Sequence, residues 1–244
     1  ASTFFTEYKY DRLRRVIEED KPSGKVTREY SGNTSITTNE TNLVHKETSN
    51  YLGHLSAVVS ASPSGAQQTK LVYAYSANDE LLTVDVYSGT TKSHTQVINK
   101  YNDYGQKVKM TDADKGAWLY EFNAFGELVK QVNSSNQILE QSYDIAGRMV
   151  SRKDEDGYTQ WYYDGAGQNA EHSRGKLHKI SYFKGRASAT GLPTHQEEYT
   201  YASHGKIVST DIEIDGESFS ITQGYDSFNR PSYTLYPANG FVTQ

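Results

Sequence analysis

Cysteine is absent from this 244-residue chain, which excludes a disulfide framework and the usual thiolate zinc sites. Methionine occurs 2 times, proline 5 times, and only 35% of residues are hydrophobic, so a thick aliphatic core is not expected. No apolar run approaches the roughly 18 residues of a membrane helix. The start, Ala1-Ser2-Thr3-Phe4, has neither the charged region nor the apolar core of a signal peptide, so any export signal is expected outside this chain. Charge of one sign is missing as well: 25 basic and 30 acidic residues are interspersed, net −5. Nucleic acid, which needs a basic stripe to neutralise phosphates, is therefore not an expected partner. The basic groups Arg12-Leu13-Arg14-Arg15 and Arg148 to Lys153 read as solvated strand faces.

Tyrosine, by contrast, is abundant, at 20 residues, and it is periodic. With an aromatic residue as anchor, the copies read YDRLRRV from Tyr10, YSANDELL from Tyr75, YNDYGQKV from Tyr101 and FNAFGELV from Phe122. They continue as YDIAGRMV from Tyr143, YDGAGQ from Tyr163, YASHGKIV from Tyr201 and YDSFNRP from Tyr225. In the tightest run, Tyr101 to Tyr163, successive anchors lie about twenty residues apart, the mark of one supersecondary unit copied many times.

Each column of the unit has its own physical role. Four residues past the anchor stand Gly105, Gly126, Gly147, Gly167 and Gly205, with Asn229, Asp79 and Arg14 in other copies. Most of these residue types tolerate positive φ, so this is a turn position. The following residue is always polar, Arg148 in the most regular copy, and an apolar one usually comes next. Before the anchor, aromatics alternate: Tyr8 and Tyr10, Tyr73 and Tyr75, Trp118, Tyr120 and Phe122, Trp161 and Tyr163, Tyr199 and Tyr201. Period two places each set on one face of a strand. Between units, Asp156-Gly157, Asp215-Gly216, Lys115-Gly116, Ser23-Gly24 and Asn239-Gly240 resemble hairpin turns of the primed type. The expected fold is all-β: a meander of antiparallel hairpins over 1–244, one array whose strand twist bends it into a curved, spiralling sheet.

The string YDIAGRMVSRKDEDG, with WYYDGAG and YNDYGQKVKMTDADKG, resembles the YD repeat of Rhs proteins. That family includes the B and C components of bacterial insecticidal toxin complexes and the ectodomains of teneurins. The resemblance covers most of the chain and is best from Tyr101 to Gly167. It weakens over residues 30–70, where Gly53-His54-Leu55 has no tyrosine four residues earlier, and Gly175-Lys176-Leu177 resembles a displaced copy of the turn. The resemblance implies a shell segment of a bacterial secreted or surface toxin-like protein, whose relatives wrap a hollow wall around a toxic C-terminal polypeptide. The core-terminating P-x-x-x-x-D-P-x-G segment of the family is not present, so the resemblance implies that the chain is a fragment of a larger protein. The implied partners are the remainder of the full-length chain and the enclosed toxin polypeptide. Self-association of the cut array is also expected, because cutting it exposes strand edges.

No catalytic constellation competes with this reading. The histidines, His45, His54, His94, His172, His178, His195 and His204, form no H-E-x-x-H pair, and no cofactor or metal is implied. Asp112/Asp114 and Asp154/Asp156 resemble the opening of a calcium loop but lack its twelfth-position glutamate and flanking helices, so they read as Asp/Gly turns. Glu18/Glu19 and Glu197/Glu198 are adjacent on strands and point to opposite faces, away from paired acid/base work. No G-x-S-x-G nucleophile motif is present. A non-enzymatic structural protein is expected. A glycan- or protein-binding adhesive module, presenting its aromatic rows, is the alternative, followed by the scaffold of a polysaccharide-degrading enzyme.

Overall fold

The computed structural model describes residues 5–64, 68–165, 170–185 and 187–237. It is all-β, and the helix among the described residues is a four-residue turn, α1 (Ala170–Ser173). Two compact units divide the chain, Ala1–Leu119 and Tyr120–Gln244.

The first unit holds β1 (Glu7–Tyr10), β2 (Val16–Lys21), β3 (Gly24–Ser31), β4 (Thr34–Thr38), β5 (Val44–Ser49), β6 (Leu55–Ala61), β7 (Gln68–Tyr75), β8 (Leu81–Ser88), β9 (Thr91–Tyr101) and β10 (Lys107–Asp112). The next strand, β11 (Gly116–Phe122), runs through the boundary. Every strand from β1 to β10 pairs antiparallel with its successor, so this unit is a meander.

The second unit continues with β12 (Leu128–Val132), β13 (Ile138–Tyr143), β14 (Met149–Lys153), β15 (Gly157–Tyr163), β16 (Leu177–Lys184), β17 (His195–Tyr201), β18 (Ile207–Ile214), β19 (Glu217–Tyr225) and β20 (Pro231–Leu235). From β12 onward each again pairs antiparallel with the next. The expected hairpin array is therefore the observed one.

Period-two alternation explains the strands. Along β11, Trp118, Tyr120 and Phe122 are half-buried while Ala117, Leu119 and Glu121 face water. Among the described residues few apolar side chains are buried: Val26, Val58, Val84, Phe183 and Tyr201. Such thin cover gives little hydrophobic stabilisation per strand, and other contacts must add to it.

The connections differ in detail from the dipeptides expected. Asp215 (φ 51°) and Gly216 (φ 87°) form a turn with both central residues at positive φ, closing β18 onto β19. Gly116, Gly24 and Gly157 lie in the left-handed or extended glycine region, but Lys115, Ser23 and Asp156 keep ordinary φ, so these are not primed two-residue turns. Asn239-Gly240 lies outside the described residues.

Candidate functional site

A recurring chemistry at most of the anchors defines the site, Tyr201 being an exception because Ala202 follows it. The residue after the anchor accepts two backbone N–H bonds from the turn it opens: Asp144 Oδ1 takes those of Ala146 (2.9 Å) and Arg148 (3.0 Å). Asp11, Asn50, Asn102, Asn123 and Asp226 do the same through Oδ1, and Ser76 through Oγ. This is an Asx or Ser turn, and it satisfies donors that the reversal would otherwise orphan. It needs a left-handed residue three places on, and Gly53, Gly105, Gly126, Gly147 and Gly205 supply it with φ of 75–87°. Arg14, Asp79 and Asn229 adopt φ of 60–65° in the same place. Gly167 lies outside the described residues, and Gly175 (φ 76°) fills its role. There the Asp164 N–H binds the Lys176 carbonyl at 3.1 Å, and Tyr163 is paired with Leu177. The displaced copy expected from Gly175-Lys176-Leu177 is thus where the chain resumes its pattern.

The polar column beyond the turn residue is matched to the first turn residue. Asp is paired with Arg: Nε to Oδ2 is 2.7 Å for Arg15 and Asp11, for Arg148 and Asp144, and for Arg230 and Asp226. Asn is paired with an amide or carboxylate acceptor, Asn102 Nδ2 donating to Gln106 Oε1 at 2.7 Å and Asn123 Nδ2 to Glu127 Oε2 at 2.6 Å. Bonds to the turn amides and the partner guanidinium hold the Asp11, Asp144 and Asp226 carboxyls below the usual aspartate range, the backbone bond from the arginine being the largest cause in each. Asp164 is lowered too, first by the Arg148 side chain.

At the anchor itself the ladder carries a bulge. Tyr143 pairs with Met149 but Ser142 with Ser151, so Val150 has no opposite residue. The same shift occurs at Tyr10, Ser49, Tyr75, Tyr163, Tyr201 and Tyr225, and in the β9–β10 ladder next to Tyr101. A bulge bends the strand and lets two consecutive apolar residues, such as Leu81-Leu82, follow the turn.

Six of the anchor hydroxyls then cross to the preceding hairpin and donate to the carbonyl just past its turn. The bonds are Tyr75 to Leu55 (2.9 Å), Tyr101 to Leu81 (3.0 Å), Tyr143 to Leu128 (3.0 Å), Tyr163 to Met149 (2.9 Å), Tyr201 to Leu177 (2.6 Å) and Tyr225 to Ile207 (2.8 Å). Tyr30 does this to Val16 at 3.1 Å, although it stands outside the sequence pattern because its own strand ends in the Gly32-Asn33 hairpin. Over the ring lies the polar residue of the preceding turn: Arg15 over Tyr30 (4.2 Å), Arg148 over Tyr163 (4.4 Å), Lys176 over Tyr201 (4.6 Å) and Lys206 over Tyr225 (5.3 Å). His54 takes this place against Tyr75, with ring centroids 5.1 Å apart. A hydroxyl bond and a capped ring together make a stitch between successive hairpins. Phe122, lacking a hydroxyl, cannot make the bond.

Two further turns carry no mark in the repeat pattern. Asn39 and Asn133 open the same Asx turn, with Asn42 and Asn136 at φ 61°, but no aromatic anchor precedes either. The turn tips also expose large apolar groups, with Leu13, Tyr104, Phe125 and Phe228 each more than two-thirds accessible. Apolar residues inside turns that are otherwise polar were the available signal.

The remaining candidates have local partners. Asp112 Oδ1 accepts the N–H groups of Asp114 and Lys115, and Asp154 Oδ1 those of Asp156 and Gly157, which is turn chemistry. Glu197 binds His195 Nε2 (2.8 Å) and the Tyr199 hydroxyl, whereas Glu198 meets His178 Nε2 at 3.3 Å. Burial, then the Glu197 bond, pushes the Tyr199 hydroxyl well above its ordinary value. Among the described residues no cluster of His, Asp and Glu is arranged to hold a metal. A depression of about 210 Å³ across β17, β18 and β19, lined by Glu198, Asp211, Ile212 and Phe219, is smaller than the roughly 300–1,000 Å³ of ligand pockets. No helix among the described residues is long and apolar enough to cross a membrane.

No family model matches the sequence, and none of the curated proteins compared with it does. Solved structures do match. The crystal structure of TcdB2-TccC3 aligns over 98% of this chain with 10% identity and a TM-score of 0.58. The Photorhabdus luminescens Tc holotoxin pore gives the same coverage, identity and score. TcdB2-TccC3 without its hypervariable C-terminal region aligns over 98% with 11% identity and a TM-score of 0.58. This chain spans only 14–15% of the length of those chains. The fold is therefore similar to a stretch of a toxin-complex chain.

Proposed function

We propose that this chain is a wall segment of a larger YD-repeat shell, in a bacterial secreted or surface toxin-like protein that encloses a C-terminal toxic polypeptide. Its work is steric and non-enzymatic. The stitch carries the reading: tyrosine hydroxyls tie most hairpins to their predecessors, and at Tyr30, Tyr75, Tyr163, Tyr201 and Tyr225 the ring is capped as well, so the array is held together with little core. The fold likeness to toxin-complex chains over 98% of the sequence supports it. Partners on this reading are the rest of the same polypeptide and the enclosed chain.

Limited proteolysis of the longer protein tests the proposal. The enclosed polypeptide is expected to resist protease while the wall is intact and to become cleavable once Tyr143→Ala and Tyr163→Ala unstitch it. Equal cleavage with an intact wall would sink the idea. A second reading, an adhesive module for glycan or cell-surface protein, is favoured by the exposed Tyr104, Phe125 and Phe228 at the turn tips. Binding of the chain to a glycan panel, lost on replacing these three by serine, would favour it over enclosure.

A further inference from the structure

The polar residue that follows a left-handed position can meet more than the next tyrosine ring: in several turns it reaches the left-handed residue of the turn that comes after. Lys176 Nζ donates to the Gly205 carbonyl at 2.7 Å and Lys206 Nζ to the Asn229 carbonyl at 2.6 Å. His54 Nδ1 stands 3.7 Å from Asp79 Oδ1, and Asp79 is itself the left-handed residue of its turn, at φ 65°. Glu80 and Glu127 approach the same place. A Cβ added to Gly105 would stand 3.4 Å from Glu80 Oε1, and one added to Gly147 would stand 3.2 Å from Glu127 Oε1. The second carboxylate oxygen stays in its own turn, Glu80 Oε2 with the Ser76 hydroxyl at 3.0 Å and Glu127 Oε2 with Asn123 Nδ2 at 2.6 Å. Where the turn in front offers no such group, the glycine is open. The β3–β4 connection at Gly32-Asn33 has no residue in that column, and a Cβ added to Gly53 in the next anchor turn meets nothing within 4 Å among the described residues. Arg148 is drawn instead to Asp164 at 2.8 Å, and Gly175 is likewise open among the described residues.

We infer that these facing residues decide which hairpin docks on which, and that Glu80 and Glu127 are the specificity-determining members. The tyrosine hydroxyl cannot make the choice, because it meets a backbone carbonyl and every hairpin has one at that place. The rings cannot make it either, because they are alike. A carboxylate in front rejects an acid at the next left-handed position by like charge, and by lying against the glycine it rejects most side chains by volume. An imidazole or ammonium in front admits both, as His54 admits Asp79 and Lys206 admits Asn229. A hairpin whose turn carries an acid at this position therefore fits behind His54 and not behind Glu80 or Glu127. In an array of near-identical units this contact distinguishes neighbours, and it acts with or without an enclosed polypeptide.

Exchanging the chemistry of one pair for that of another tests this by denaturant unfolding of the 244-residue chain. Gly147→Asp sets an acid against Glu127, at a backbone conformation that Asp79 already holds, and Glu127→Lys in the same chain supplies the cation that such an acid needs. Gly147→Asp is expected to raise the unfolding constant, and to raise it about 3-fold less when Glu127→Lys is also present. The reverse exchange is made in the other unit. His54→Glu should destabilise the chain by facing Asp79, and adding Asp79→Gly should recover stability, because it rebuilds the Glu127–Gly147 arrangement. A single variant that fails to fold beside a double variant that folds is the same rescue in stronger form. Strictly additive changes in either exchange, or a double variant that is less stable than additivity requires or does not fold, overturn the inference.

Discussion

Arg148 holds its guanidinium 4.4 Å from the Tyr163 ring centre, one hairpin further along, while Nε and Nη2 bind Asp144 in its own turn and Nη2 binds Asp164 in the next. One side chain thus closes a turn and ties it to its neighbour. Both carboxylates raise the Arg148 pKa above the ordinary arginine value, Asp164 contributing most, so the cation is permanent.

The hydroxyl half of the stitch is open to a direct test. Tyr143→Phe removes only the bond to the Leu128 carbonyl and should lower unfolding stability by about 1 kcal/mol. Tyr104→Phe, at an exposed turn tip, should change it by less than about 0.5 kcal/mol. Urea midpoints of the two variants check this, and equal midpoints would mean that the anchor hydroxyl contributes nothing.

The turn column discriminates by backbone, not by size alone. At Gly147, φ is 75° and an added Cβ would stand 3.2 Å from Glu127 Oε1. Gly147→Val should cost about 2 kcal/mol or more, because a β-branched residue is strained there. Gly147→Asn should cost under about 1 kcal/mol, since Asn229 holds φ 60° at the equivalent place. Thermal melting decides: two variants of equal stability would remove the left-handed requirement. The stretch Ser60 to Gln68 is rich in small, turn-forming residues and is expected from sequence to tolerate substitution, but its Gly65 lies outside the described residues.

Matched pairs in the turn should be coupled. Asp144→Asn strips Arg148 of its turn partner, and Arg148→Gln strips Asp144 of its own. Together they rebuild the Asn102–Gln106 pairing seen in an earlier turn. The double variant should therefore lose less stability than the two single losses combined, in a double-mutant cycle read by denaturant. Strict additivity would contradict the pairing.

Acid should loosen the array through the same carboxyls. Asp11, Asp144, Asp164 and Asp226 have folded pKa values below the ordinary 3.8. The unfolded chain then takes up protons first as pH falls. Their stabilisation is full above the unfolded value and is lost as pH drops through the lower folded values. Melting temperature should fall steeply below about pH 4, and less steeply in a chain carrying Asp144→Asn and Asp226→Asn. A pH profile unchanged by those substitutions would locate the acid sensitivity elsewhere.

Much of the fold was legible in the sequence because the repeat is written in residues with narrow conformational tolerance. Positive φ admits glycine, asparagine and aspartate, so Gly105, Gly126, Gly147 and Gly205 announce turns, and aromatics spaced by two announce strands. Tyr30 was not legible, because its strand closes through Gly32-Asn33 without the usual turn. Asn39 and Asn133 were not legible either, because no aromatic precedes them, although their Asx turns are the same as the others. The displaced Gly175 was visible because glycine, basic residue and leucine kept their order across the insertion.

By itself, then, the sequence determined the antiparallel hairpin order and the residues that turn it, since these depend on local φ/ψ preference and on period-two burial. Tertiary structure alone decided what the tyrosines are for. A hydroxyl can find the Met149 carbonyl from Tyr163 only after strand register and the bulge have set two residues from different hairpins side by side. Register is a property of paired strands, not of any one segment, so the stitch is not written at either of its ends.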